Sequence, residues 1–158
     1  MSLGNIQLKA LEAEKPTRLT PRLTVTPLLV PHRDEFSETV GFQVQGPRHQ
    51  VLFVPDIDKW ERWDRQIEKL LVQSDRAYLD GTFFTADELP GRDISEIPHP
   101  FIIESIQRFA ALPDGQREKV RFIHLNHTNP ALQRGSTARR QVSRAGMAVA
   151  RQGEKFPL

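Results

Sequence analysis

The sequence contains no cysteine. That excludes disulfides and thiolate metal sites, so any metal here must be held by histidine and carboxylate ligands. No apolar run approaches the roughly 18 residues that a membrane helix needs. Met1–Ala10 lacks a basic start followed by an apolar block, so no secretory leader is expected. Met1–Leu3 look like a cloning remnant and are expected to have no structural role. Charge of one sign is scarce too, with a formal net charge of +2. The local excess of arginine over Arg134–Arg144 reads as a solvated helix face rather than a nucleic-acid footprint. No aromatics are interleaved with Arg134, Arg139, Arg140, Arg144 and Arg151, so no platform for stacking bases is expected. A cytoplasmic protein with no membrane partner is the expectation.

What remains is enough for one domain with a core: 158 residues, 38% hydrophobic and 27% charged. Ile6, Leu8 and Ala10 alternate and predict a strand over Asn5–Leu11, followed by a polar loop over Glu12–Pro21. A strand over Arg22–Val30 carries Pro27, which suggests an edge or a bulge. Strands over Thr39–Val44 and His49–Val54 pair as a hairpin across Gly46–Arg48. Ile57, Trp60, Trp63, Ile67, Leu70 and Leu71 fall on one stripe at helical spacing, predicting a helix over Ile57–Val72. A short strand follows over Arg76–Leu79, then an irregular stretch over Phe83–Pro98. A helix over Pro100–Leu112 opens on proline. The remaining elements are a strand over Val120–Leu125, a basic helix over Ser136–Ala145 closed by Gly146, and a strand over Met147–Arg151. A run of strands followed by β-α-β-α-β-α-β describes a layered α/β fold, a sheet covered by helices.

Four strands end alike. Leu28–Val30 leads to His32, Leu52–Val54 to Asp56, Tyr78–Leu79 to Asp80, and Phe122–Ile123 to His124. Strands of a sheet that align these ends would bring two histidines and two carboxylates to one crevice. Imidazole and carboxylate are the usual ligands of zinc, iron or manganese where thiolate is absent. Simpler readings stand beside this one. Asp56 suits a helix N-cap, Asp80 before Gly81 suits a turn, and His32 in a charged loop suits a solvated side chain. His49, between Arg48 and Gln50, reads as solvated. His99 lies between Pro98 and Pro100 at a helix start. His124 and His127 are three apart, which on a strand points them to opposite faces, so both reach one site only if the turn begins by Asn126.

Together, VTPLLVPHRDEFSETVGF, VLFVPDIDKW, YLDGTFF and FIHLNHTNP resemble the metallo-β-lactamase superfamily, in particular the branch of the coenzyme PQQ biosynthesis protein B family. The resemblance implies an αββα sandwich of which this chain is the C-terminal half, a single partial domain over residues 1–158. It implies that His32, Asp56 and His124 are metal ligands. Asp80, His99 and His127 would serve catalysis, by proton transfer or by orienting the ligands. The implied cofactor is a divalent metal, zinc first, with iron or manganese as alternatives. The implied activity is hydrolysis of a small-molecule or peptide-derived substrate. The superfamily's His-x-His-x-Asp-His motif is absent: the five histidines are His32, His49, His99, His124 and His127. The expectation is therefore a chain inactive by itself, or alternatively a non-catalytic interaction module. A sheet without its partner layer exposes apolar surface, which predicts self-association, most simply as a homodimer.

Overall fold

A computed structural model describes residues 4–158; Met1–Leu3, read as a cloning remnant, lie outside the described residues. Seven strands form one sheet in sequence order. They are β1 (Thr17–Thr20), β2 (Leu23–Val30), β3 (Thr39–Gln45), β4 (Gln50–Val54), β5 (Arg76–Asp80), β6 (Val120–Ile123) and β7 (Ala148–Val149). The first four run antiparallel as hairpins, and β4 through β7 run parallel. Four helices lie between the parallel strands: α1 (Ile67–Gln73), α2 (Ile102–Phe109), α3 (Asp114–Arg117) and α4 (Thr137–Arg144). Parallel neighbours need a crossover, and crossovers are right-handed. Adding strands in one direction by right-handed crossovers places every covering helix on the same face. Leu28, Leu52, Leu79, Val120 and Phe122 point to that face and are at most 1% exposed.

The opposite face is apolar over β2–β4 as well, but it has little cover. Pro27, Leu29, Val40, Phe42, Val44 and Phe53 lie on it in register, and Leu29 is 47% and Phe53 38% exposed. Among the described residues the C-terminal tail lies over Val44, Val51 and Phe53, and Leu11 and Ala13 border Pro27, Leu29, Val40 and Phe42. Phe156 packs edge-on to His49 with ring centres 5.4 Å apart. Leu158 rests on Gly46, where a Cβ would come within 2.5 Å of its own Cβ.

Several sequence expectations change. Asn5–Leu11 forms no strand, and Ile6 and Leu8 are 82% and 92% exposed; alternation yields a strand only where a sheet edge is there to pair with it. The edge place falls instead to β1, inside the stretch read as a loop. Ile57–Val72 is not one helix but a 3₁₀ turn at Trp60–Arg62 and then α1. The apolar stripe is buried as expected, yet tertiary bonds set the backbone. The Trp60 indole N–H donates to Ser105 Oγ at 2.9 Å, and that of Trp63 to the Leu29 carbonyl at 2.8 Å. Trp and Asp contribute little helix propensity to oppose this. The helix read over Pro100–Leu112 is shorter. Glu104 takes the N–H of Phe101 at 2.8 Å, so α2 starts after Phe101 and Pro100 lies outside it. His49, read as solvated, packs on Phe156 instead.

Candidate metal centre

The parallel register sets Val54 opposite Leu79 and Asp80 opposite Ile123. The residues that follow therefore meet along one end of the sheet. One ligand atom from each of Asp56, Asp80, His99 and His124 lies within 4.8 Å of the others. His32 adjoins them through Asp56, with Nε2 3.0 Å from Oδ1. His99 Nδ1 is 3.5 Å from the same oxygen. The His99 ring centre lies 5.5 Å from that of His32 and 6.1 Å from that of His124.

Asp80 is fully buried, and both its oxygens are engaged. Oδ1 accepts from the Thr82 N–H at 2.8 Å and the Thr82 hydroxyl at 2.7 Å. Oδ2 accepts from the Ile57 N–H at 3.2 Å and pairs with His99 Nδ1 at 2.8 Å. The Thr82 hydroxyl has spent its proton on Asp80, so toward His124 Nδ1, 3.2 Å away, it can only accept. These partners assign the Nδ1 proton on both His99 and His124 and leave each Nε2 a free lone pair.

Local backbone makes this possible. Gly81 brings the β5 exit against β6, where a Cβ would lie 2.8 Å from that of Phe122. His124 adopts φ of 60°, a left-handed conformation costing on the order of 1–2 kcal/mol in a residue with Cβ. The turn thus begins at His124, and the loop is pinned by Asn129, whose amide donates to the carbonyls of Gly81 and Thr82 at 2.8 and 3.2 Å.

The unsatisfied atoms of the donor set bear on whether it suits a divalent ion. His32 Nε2 and Asp56 Oδ1 are buried and have no hydrogen-bond partner among the described residues. At 3.0 Å they are close but not aligned as donor and acceptor. Two ligands on one tetrahedral ion with bonds of about 2.0 Å stand about 3.3 Å apart. Two lone pairs left facing the same space suit a cation better than each other. The residues present therefore fit a metal, with Asp80 better placed to orient the histidines than to bind.

Of the six residues singled out in the sequence, the structure brings together His32, Asp56, Asp80, His99 and His124. His127, exposed like His124, is not among the clustered residues, and its N–H is bonded to Asn126 Oδ1 at 2.9 Å. Asp56 caps no α-helix. Sequence reasoning missed Thr82 and Asn129. The only signal for Thr82 was its place two residues after a strand-terminal Asp, where a hydroxyl commonly closes a turn.

Comparison with known proteins agrees with the fold. A family model described as "Beta-lactamase superfamily domain" matches residues 2–125, and the chain belongs to that superfamily, on its metallo-β-lactamase side. Within it, the chain is similar to coenzyme PQQ synthesis protein B. The protein of that name from Methylobacterium nodulans is 29% identical over 132 residues, which cover 78% of this chain and 42% of the relative. The one from Nitrosococcus oceani is 29% identical over 150 residues, covering 86% and 47%. The structure of Zn(2+)-bound PqqB from Methylobacterium extorquens superposes with a TM-score of 0.76 at 21% identity, over 95% of this chain and 55% of that one. The chain thus spans about half the length of the relatives it matches.

Proposed function

We propose that this chain carries one side of a divalent-metal centre of a PqqB-like hydrolase. The observation that carries the proposal is the facing pair of buried, unsatisfied atoms, His32 Nε2 and Asp56 Oδ1, with His99 and His124 clustered around Asp56. His32, Asp56 and His124 are the proposed ligands. Asp80, with its oxygens already engaged, fixes His99, which is placed to hold or move a proton at Nε2. His127 has no place in this proposal. Zinc is the first candidate, since a PqqB with the same fold is described as zinc-bound. A bound divalent ion supplies Lewis acidity and a nucleophile at neutral pH.

The His-x-His-x-Asp-His residues are absent from the sequence, so we propose that the chain alone binds metal but does not turn over substrate, a small molecule or peptide-derived compound. Metal analysis after zinc loading and dialysis is expected to find roughly one ion per chain, with retention abolished in Asp56→Asn and His124→Ala. A well-folded protein that retains no zinc, iron or manganese overturns the reading.

A second reading, self-association through the bare sheet face, is favoured by exposed Leu29 and Phe53. Sedimentation at tens of micromolar (on the order of an ordinary assay concentration) should give a dimer; a monomer rules it out. Among the described residues no helix is long and apolar enough to cross a membrane. Cytoplasmic residence belongs to the proposal and is tested by cell fractionation.

A further inference from the structure

We infer that the groove between β7, α4 and the C-terminal tail binds a small polyanion bearing phosphoryl or several carboxylate oxygens. The groove encloses about 440 Å³ and is lined by Arg76, Arg121, Arg139 and Arg151, with Glu154. An adjoining hollow of about 790 Å³ shares Arg139, Arg151 and Glu154 and adds Arg134 and Lys155. Six cations thus face one carboxylate, on a chain whose net charge is only +2. None of the metal-centre residues lines either space.

Of the stretch read as a solvated helix face, Arg134, Arg140 and Arg144 are exposed as expected, while Arg139 is half-buried and joins the groove. Arg76 and Arg121 come from β5 and β6, on the face that the helices leave bare. Arg121 Nη1 donates to the carbonyls of Glu118 and Val120 at 2.8 and 2.9 Å, and its Nε lies 3.4 Å from Glu154 Oε1. Arg139 donates to the carbonyls of Ala131 and Val149, both at 3.1 Å. Carbonyls fix a guanidinium without neutralising it. Arg76 has less: Nε and Nη1 are buried with no acceptor among the described residues, and the guanidinium lies 4.8 Å from the Phe156 ring. Burial, and then the neighbouring Arg76, hold the Arg121 pKa below its usual value. Burial, then Arg134 and Arg151, do the same at Arg139. Guanidinium does not shed its proton to escape such crowding, so only an anion relieves it. Glu154 is already committed to Arg121 and to the N–H of Arg151, at 3.2 Å. Among the described residues the side chains of Arg134, Arg151 and Lys155 have no acceptor, Arg76 adds a charge whose buried Nε and Nη1 are likewise unpaired, and charge-assisted bonds from guanidinium to a planar or tetrahedral oxyanion are the strong kind.

Calorimetric titration of the metal-free chain with pyrophosphate and, separately, citrate tests this at physiological salt. Saturable binding of either probe with Kd below about 1 mM is expected. It should weaken about tenfold or more in Arg76→Gln or Arg151→Gln, each checked for an unchanged melting transition. Asp56→Asn should bind as the unaltered chain does, which separates this site from the metal centre. Binding of pyrophosphate alone assigns a phosphoryl ligand, and of citrate alone a polycarboxylate. No saturable binding of either probe, or binding undiminished in both arginine variants, overturns the inference.

Discussion

The two faces of the sheet are built from alternate residues of the same strands, yet they have different fates. On one, Leu52, Leu79 and Phe122 are wholly buried under helices; on the other, Leu29 and Phe53 remain substantially exposed. Antiparallel sheets with one wet face alternate apolar with polar residues. Here β3 does alternate, but with its sense reversed: Gly41 and Gln43 lie on the helix-covered face, and Val40, Phe42 and Val44 lie on the bare one, where polar residues would be expected. The bare face therefore has the composition of a layer meant to be covered. Farther along the same sheet it turns basic, at Arg76 and Arg121. The difference teaches that the crossovers, by placing every helix on one face, leave apolar residues such as Leu29 and Phe53 exposed on the other, where Val25 and Val51 are nonetheless buried.

The largest expected effect tests that contrast directly. Phe122→Ala should cost about 3–5 kcal/mol in chemical denaturation, because it opens a cavity under the helices. Phe53→Ala on the other face should cost below about 1 kcal/mol. Equal losses would break the comparison. Next in size is Asp80→Asn, which leaves the His99 Nδ1–H facing an amide or an inverted ring. A loss of about 2–3 kcal/mol is expected, together with reduced zinc retention measured on the same samples.

A smaller effect on stability, but a large one on assembly, is expected from Leu29→Lys with Phe53→Lys. The melting temperature should hardly move while sedimentation shifts to monomer; a dimer that survives the pair places the contact elsewhere. The smallest effect concerns Tyr78, the only tyrosine. Burial, and then the Glu154 carboxylate, raise its pKa above the ordinary 10.0. Its neutral form is the one the fold prefers, so its contribution is complete below about pH 10 and disappears as pH rises through the folded value. The phenolate absorbance midpoint should lie above 10.0 and fall toward it in Glu154→Gln.

Most of the strand order and the convergence of Asp56, Asp80 and His124 could be read from the sequence, because apolar strands with polar exits leave a local trace. His32 was legible for the same reason. The Ile57–Val72 region misled, since a stripe at helical spacing records which residues are buried and not the backbone that buries them. His127 stands outside the cluster of Asp56, Asp80, His99 and His124 even though the turn starts at His124, early enough to meet the condition set by the sequence. Thr82 was illegible: its importance lies in a hydroxyl shared between Asp80 and a histidine 42 residues away. The arginine groove was partly hidden, because Arg76 and Arg121 join Arg139 and Arg151 only through strand pairing.

Asp80 serves two histidines, one directly and one through Thr82. Lesions in this group should therefore not sum. Once Asp80→Asn has released both rings, adding Thr82→Val should take away little more, although Thr82→Val alone loosens His124. A double-mutant cycle on metal affinity would measure that shortfall as a coupling energy. A cell that inherits the first change would then find the second nearly silent, so the order in which such substitutions arise would decide which of them selection can see.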